Sequence, residues 1–412
     1  MIPIAGFVLL DFFHILVLYP LKQHFEMTFS PVLSNFYRWV ENKSAKKSYP
    51  FYLTLVLICI SLFLAFPRYD QYNYNPVAWD VTMLKAKDLT NNLTTIPPES
   101  FMAKKVFRLT VPVFIRIFHL NRVGVIVIQG LIGFLLLFYS YKLANKILGD
   151  APSASMVTAG IAFLYAGRAC FSDIAYTQFD GWAYFFILMT LYNRNFFVIF
   201  LFATMAAWID ERGLLALIFP ILFHQVEASK DKNFGLLPLI RPARSSVAIL
   251  LAVAGYIALR FYLTHAYNMH TPADDADFSV LKQNFVHTSF GFGAFTFLEG
   301  FWLLLPLVIL LGIKNKNYGL LALIAGTILV FSLAVFCVKD LTRSGSYLFS
   351  IIFLLLFYMR QYWEITNIRS IAAVCLFFCF IFPPINYVAF GDFLYRVEKP
   401  FLWILLAILQ QH

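Results

Sequence analysis

The sequence predicts an all-α, polytopic bundle of transmembrane helices. Three observations carry the membrane prediction. Of 412 residues, 60% are hydrophobic and only 13% charged, where a soluble domain holds roughly 25% charged residues. The mean hydropathy is +0.73. Apolar runs recur along the chain at close to bilayer-spanning length, and they do not alternate as the strands of a membrane β-barrel would.

The net charge is +10. In a soluble protein such an excess would point to nucleic acid. Here Lys and Arg gather in polar segments between apolar runs, where they face anionic lipid. Nucleic acid is therefore not expected as a partner, and membrane lipids are. Cys59, Cys170, Cys337, Cys375 and Cys379 form no CxxC and no zinc spacing, so they are read as packing residues without a disulfide.

In chain order, residues 1–50 hold an apolar segment, 2–19, and a basic linker with Lys22, Arg38, Lys43, Lys46 and Lys47. That linker is assigned to the cytoplasm. The run 51–66 then leads outward. The polar stretch 67–122 follows, with Asp70, Asp80, Glu99, Lys104, Lys105, Arg108 and Arg116. A chain this apolar does not leave so many polar groups in lipid, so the stretch is read as an extracytoplasmic loop forming the floor of a site. The run 123–141 returns to Lys142 and Lys146.

Run 154–170 goes out to a short loop with Asp173 and Asp180, seven apart and so able to share a helix face. Three short runs follow, 181–192, 196–209 and 214–224, interrupted by Asp210-Glu211-Arg212. Adjacent charges there must turn the chain, pair internally or line a polar cleft. The segment 225–245 is basic and cytoplasmic. Runs 246–263, 301–313, 318–336, 347–358, 371–389 and 401–409 complete the chain. Between them lie extracytoplasmic loops 265–300, with Asp274, Asp275, Asp277, His265, His270 and His287, and 337–346, with Asp340 and Arg343. The expected total is about 11–13 spans, divided as 1–50, a module over 51–225 and C-terminal helices over 226–412.

Orientation rests on Lys and Arg alone, yet the carboxylates at the mouths of apolar spans then gather on one side. Asp340 and Arg343, three apart, would share a helix face; an interfacial salt bridge explains them equally well. P-loop, GxGxxG, HExxH and GxSxG patterns are absent.

An acid just after the first outward core span (Asp70), a long outer loop and a second acid in the next outer loop (Asp173) together resemble the GT-C superfamily of integral-membrane glycosyltransferases. Arg108–Pro112 and the DER at Asp210–Arg212 also look like features of bacterial polytopic proteins of this type. The resemblance covers topology over 51–225. It implies sugar transfer from a polyprenyl-phosphate donor to a lipid-linked or cell-surface glycan acceptor, on the extracytoplasmic face of a bacterial inner membrane. Asp70 would be the general base and Asp173 a second catalytic acid. Asp80, Lys104, Lys105, Arg108, Asp180, Asp210, Glu211, Arg212, Asp340 and Arg343 would form the substrate-binding set. Guanidinium and ammonium groups would meet the phosphate charge that develops on the leaving group. Oxygen-rich acidic positions suit Mg²⁺ or Mn²⁺, without a diagnostic spacing for either. Two other readings stay open: an oligosaccharide polymerase or ligase, and a flippase or transporter of a lipid-linked glycan. A transporter would carry ionisable groups deep in its spans, and Asp11 is the clearest such residue in the sequence.

Overall fold

The computed structural model describes residues 34–64, 76–97, 100, 102–172, 177–229, 242–271, 290–338, 340–381, 386–387 and 393–394. The expected spans at 2–19 and 401–409 lie outside the described residues, as do Asp70, Glu99, Asp173, the 274–277 acids and His287.

The architecture is all-α. Helix α1 covers 34–44, α2 Tyr49–Leu64, α3 Pro76–Lys87, α4 Thr110–Phe118 and α5 Arg122–Leu148. Then come α6 Ala151–Phe163, α7 Tyr165–Ser172, α8 Asp180–Tyr192, α9 Phe196–Ala207, α10 Glu211–Ala216, α11 Ile218–Ala228 and α12 Arg244–Tyr267. The chain continues as α13 Phe290–Leu298, α14 Leu304–Lys314, α15 Tyr318–Phe336, α16 Leu341–Gly345, α17 Ile351–Tyr362 and α18 Ile365–Ile381. Short 3₁₀ turns cover Ala103–Lys105, Glu299–Leu303 and Ser346–Ser350. Asn386–Tyr387 pairs antiparallel with Phe393–Leu394.

Polar caps punctuate this apolar chain. The Asn121 side chain accepts from Gly124 N at 2.8 Å and opens α5. Gly149 closes α5 at φ +65°, a left-handed position that suits glycine. One residue on, Asp150 accepts from Ser153 N at 2.9 Å and opens α6. Asn195 does the same for α9. These caps satisfy the orphan donors of the first turn, so tight reversals are possible with two or three residues.

Helix α8 is the centre. Every residue from Asp180 to Leu191 is buried, as expected of a helix apolar all round and enclosed by others. It packs against α5 and α9, while α5 also meets α6, α18 packs on α6, and α12 covers α9. Trp182 is ringed edge-on by Phe114, Phe179 and Phe186. Asp180 is thereby carried to the middle of one end of the bundle.

Three expectations need correction. Among the described residues, which leave out the expected spans at 2–19 and 401–409, five helices are long and apolar enough to cross a membrane, six if the bent pair α6–α7 is one span, against about 11–13 expected for the whole chain. Within the described residues the difference lies in broken and short runs: α6 and α7 meet at 61°, and Phe196–Ala207 and Ile365–Ile381 fall below full length. The stretch 67–122 is not an extended loop; it contains α3, α4 and a 3₁₀ turn. The loop 265–300 is likewise shortened from both sides by α12 and α13.

The five cysteines are free thiols, with Cys375 and Cys379 buried on α18. Close packing there is strict. A Cβ on Gly300 would stand 2.2 Å from the Cys375 carbonyl oxygen, whereas one on Gly326 meets nothing within 4 Å. Gly300→Ala is expected to destabilise by about 1–3 kcal/mol. Gly326→Ala should be neutral or stabilise by up to about 1 kcal/mol. Thermal unfolding of both variants in one detergent checks the contrast.

Candidate functional site

At the end of the bundle where α8 begins, charged side chains from five segments converge. Asp180 opens α8, where the helix dipole favours an anion. Its Oδ1 accepts from the Tyr347 hydroxyl at 2.8 Å and from Arg212 Nη2 at 3.2 Å. Its Oδ2 faces Arg343 Nε at 3.5 Å. Asp210 caps α10. Its Oδ1 accepts from Arg212 N at 3.0 Å and Nε at 2.7 Å. Its Oδ2 accepts from Arg212 Nη2 at 2.7 Å and pairs with Arg108 Nη2 at 2.8 Å. Arg212 completes its set by donating from Nη1 to Ser344 Oγ at 2.8 Å.

Burial alone would push the Asp210 carboxyl up. The guanidinium groups of Arg108 and Arg212 overcome that effect and hold it well below the usual carboxylate range. Arg343 also stands 3.4 Å from Asp340 across three residues, as the spacing predicted. Its backbone carbonyl accepts from the Tyr184 hydroxyl at 2.9 Å.

Lys105 closes one side. Its Nζ donates to the Thr177 carbonyl at 3.3 Å and to the Thr177 hydroxyl. Thr177 sits at φ +50°, a left-handed position a β-branched residue rarely takes. Burial, and after it Arg108 and Arg343, pushes the Lys105 ammonium well below the usual lysine range, against the pull of Asp180 and Asp210.

Beside these groups lies a narrow cleft of about 20 Å³, lined by Lys85, Lys105, Arg108, Thr177, Asp180 and Asp210 together with Val81, Val111, Pro112, Phe179 and Ile209. Buried Lys85 is tied down by the carbonyls of Leu89 at 2.7 Å and Asn91 at 2.8 Å. The Nε of Arg108 is buried without a hydrogen bond, whereas that of Arg343, also outside hydrogen-bond geometry, lies between the carboxylates of Asp180 and Asp340. A buried donor left unpaired is unfavourable by about 1–3 kcal/mol.

Of the residues expected at the site, Lys105, Arg108, Asp180, Asp210, Arg212, Asp340 and Arg343 meet. Lys104 is half-buried on the Lys105 turn. Asp80 does not join: it is exposed and pairs with Arg122 at 2.5 Å. Glu211 points to the rim, 3.3 Å from Arg260. The expected helix carrying both Asp173 and Asp180 is absent, because the described residues 177–179 are not helical and α8 begins at Asp180. Asp70 and Asp173 lie outside the described residues. Among the described residues, no group of three or more His, Cys, Asp or Glu could hold a metal ion. The carboxylates of Asp180 and Asp210 face guanidinium groups instead.

Sequence reading missed Tyr184, Tyr347, Ser344 and Thr177, none of which carries a formal charge. It also missed Arg168 on α7, hidden in an apolar run. Arg168 is buried within electrostatic reach of buried Glu299, which sits at φ +46° where α13 gives way to a 3₁₀ turn.

Comparison with protein-family models, with curated proteins and with solved structures gave no match.

A carboxyl depressed in the folded state contributes its stability above the unfolded pKa of about 3.9 and loses it only as pH falls through the lower folded value. Arg212→Met is expected to cost about 3–5 kcal/mol of unfolding free energy. The loss should be no larger at about pH 5 than at about pH 7, because without Arg212 burial raises the Asp210 carboxyl in the folded variant and protonation then relieves part of the penalty. Denaturant unfolding of the detergent-solubilised protein at the two pH values measures it.

Proposed function

We propose that the chain is an integral-membrane glycosyltransferase of the GT-C kind. It would move a sugar from a polyprenyl-phosphate donor to a lipid-linked or cell-surface glycan acceptor, at the extracytoplasmic face. The observation that carries this reading is a buried cluster of four cationic side chains and three carboxylates beside a cleft that Lys105 and Arg108 line, with the Arg108 Nε left without a hydrogen bond. Guanidinium groups with spare donors suit a phosphate oxygen. Arg212 is saturated by protein acceptors, so its part is to hold Asp180 and Asp210 in place. Arg108 and Arg343 are the phosphate ligands.

In the reaction an acceptor hydroxyl oxygen bonds to the anomeric carbon as the bond from that carbon to phosphate oxygen breaks. The hydroxyl proton passes to a carboxylate, assigned here to Asp70, and the electron pair leaves on polyprenyl phosphate. Arg108 and Arg343 stabilise the charge that grows there. Asp173 orients the acceptor. It is four residues from Thr177, a span of at most about 14 Å, and Thr177 lines the cleft.

A second reading, a transporter of lipid-linked glycan, draws on Arg168 and Glu299. Both are buried at irregular points of apolar helices, where ionisable groups often mark a transport path.

Purified protein is to be incubated with polyprenyl-phosphate sugars while polyprenyl phosphate release is measured. Asp70→Asn and Asp173→Asn should lower kcat by about 10²–10⁴-fold, and Arg343→Gln should raise the donor KM. Unchanged turnover by a folded Asp70→Asn protein removes that residue as base. Translocation of a lipid-linked glycan across vesicles without sugar transfer would favour the transporter.

A further inference from the structure

The opposite end of the bundle carries a feature that sugar transfer does not use. Helix α1 is fixed to the body along one face. Val40 is fully buried. Glu41 pairs with Arg369 of α18 at 2.6 Å, and the Arg369 guanidinium lies over the Tyr37 ring at 5.4 Å. Arg369 is itself anchored on Asp150 at 2.5 Å. The outer face of α1 therefore has a set orientation.

That outer face is aromatic and basic. Phe36, Trp39 and Lys43 follow at i, i+3 and i+7, the spacing of one helical stripe. Phe36 is 37% and Trp39 54% exposed, and their rings stack at 6.5 Å. Lys43, Lys46 and Lys47 are exposed as well. Backbone hydrogen bonds from Lys46 N to Lys43 O at 3.1 Å and from Tyr49 N to Lys46 O at 3.0 Å fix the turn that carries them. Arg369 is shared between Glu41 and Asp150, and the exposed Arg38, Lys43, Lys46 and Lys47 outnumber the one acid of this stretch, so the face keeps a net positive charge.

We propose that this face of α1 binds anionic phospholipid headgroups of the leaflet at this end, with Trp39 and Phe36 seated among the upper acyl chains. Two features select lipid over a protein partner. The patch is continuous with an apolar surface: α2 starts directly after it and presents Phe51, Tyr52, Leu55 and Val56 outward. Its composition, exposed aromatics beside lysines on a helix at the end of a span, is that of an interfacial helix. The net positive charge makes anionic lipid the fitting class.

The test uses the full chain reconstituted in bilayers of equal parts phosphatidylglycerol and phosphatidylcholine. Lipids retained after mild detergent extraction are counted by native mass spectrometry. The unmodified protein should retain phosphatidylglycerol in preference. The combined K43Q, K46Q and K47Q variant should weaken that preference about a hundredfold, and the combined K43R, K46R and K47R variant should keep it. As a second readout, phosphatidylglycerol brominated high on the acyl chain should quench a fluorescence component that Trp39→Phe removes, distinguishable among seven tryptophans by difference. A folded glutamine variant with undiminished preference, or no lipid quenching assigned to Trp39, overturns the proposal. Either result leaves the sugar-transfer reading untouched, since no residue of the cleft is altered.

Discussion

The contact on which the functional end depends is the brace formed by Arg212 between Asp210 and Asp180. Helix α8 is buried on all sides, and its first residue is a carboxylate. Such a group is tolerated only with charge-assisted partners around it. Arg212 supplies one, but a single guanidinium cannot serve both acids fully. Arg108 therefore reaches Asp210 from the segment before α4, and Arg343 approaches Asp180 from α16. Neutralising one buried acid thus ties together three stretches of chain far apart in sequence.

This arrangement separates two kinds of arginine. Arg212 has its donors met by Asp210, Asp180 and Ser344, and its plane lies over Tyr347 at 5.7 Å. It is a strut. Arg108 makes an ion pair through Nη2 and keeps its Nε without a hydrogen bond, while Arg343 holds its Nε between two carboxylates at 3.4 and 3.5 Å, outside hydrogen-bond geometry. The strut holds the acids, the acids hold the other two guanidinium groups, and Arg108 keeps capacity for a ligand. In the proposed transfer, preorganisation of this kind would spare the reorganisation that flexible side chains need when phosphate charge develops.

Much of this was legible in the sequence, for physical reasons. Asp210-Glu211-Arg212 interrupts an apolar stretch, and three adjacent charges cannot sit in lipid unpaired; two of them enter the cluster. Asp340 and Arg343 have helical spacing and do meet. What was not legible depends on where helices stop. The seven-residue spacing of Asp173 and Asp180 suggested one helix, but the described residues 177–179 are not helical and α8 starts at the second. Asp80 looked equivalent to its neighbours, yet it lies on the outer side of α3 beside Arg122. Arg168 was invisible because one charge does not disturb the hydropathy of a long run. Among the described residues, fewer full-length spans than expected arise because some apolar runs are short and one, α6–α7, bends by 61°.

The two ends of the bundle use charge in opposite ways. Where α8 begins, acids and bases are buried, paired and gathered beside a narrow cleft. Where it ends, Lys43, Lys46 and Lys47 stand in the open, and Arg369 is committed to Asp150 and Glu41. Exposed pairs contribute little and are screened by salt, so the second end is shaped by its lipid and solvent surroundings. Buried pairs are weak evidence of stability, because apolar residues of equal volume would often serve as well. A chain that is 60% hydrophobic could readily have filled that end with apolar side chains. The buried cluster is therefore poorly accounted for by stability alone, which is why the proposed transfer is assigned to the end where α8 begins.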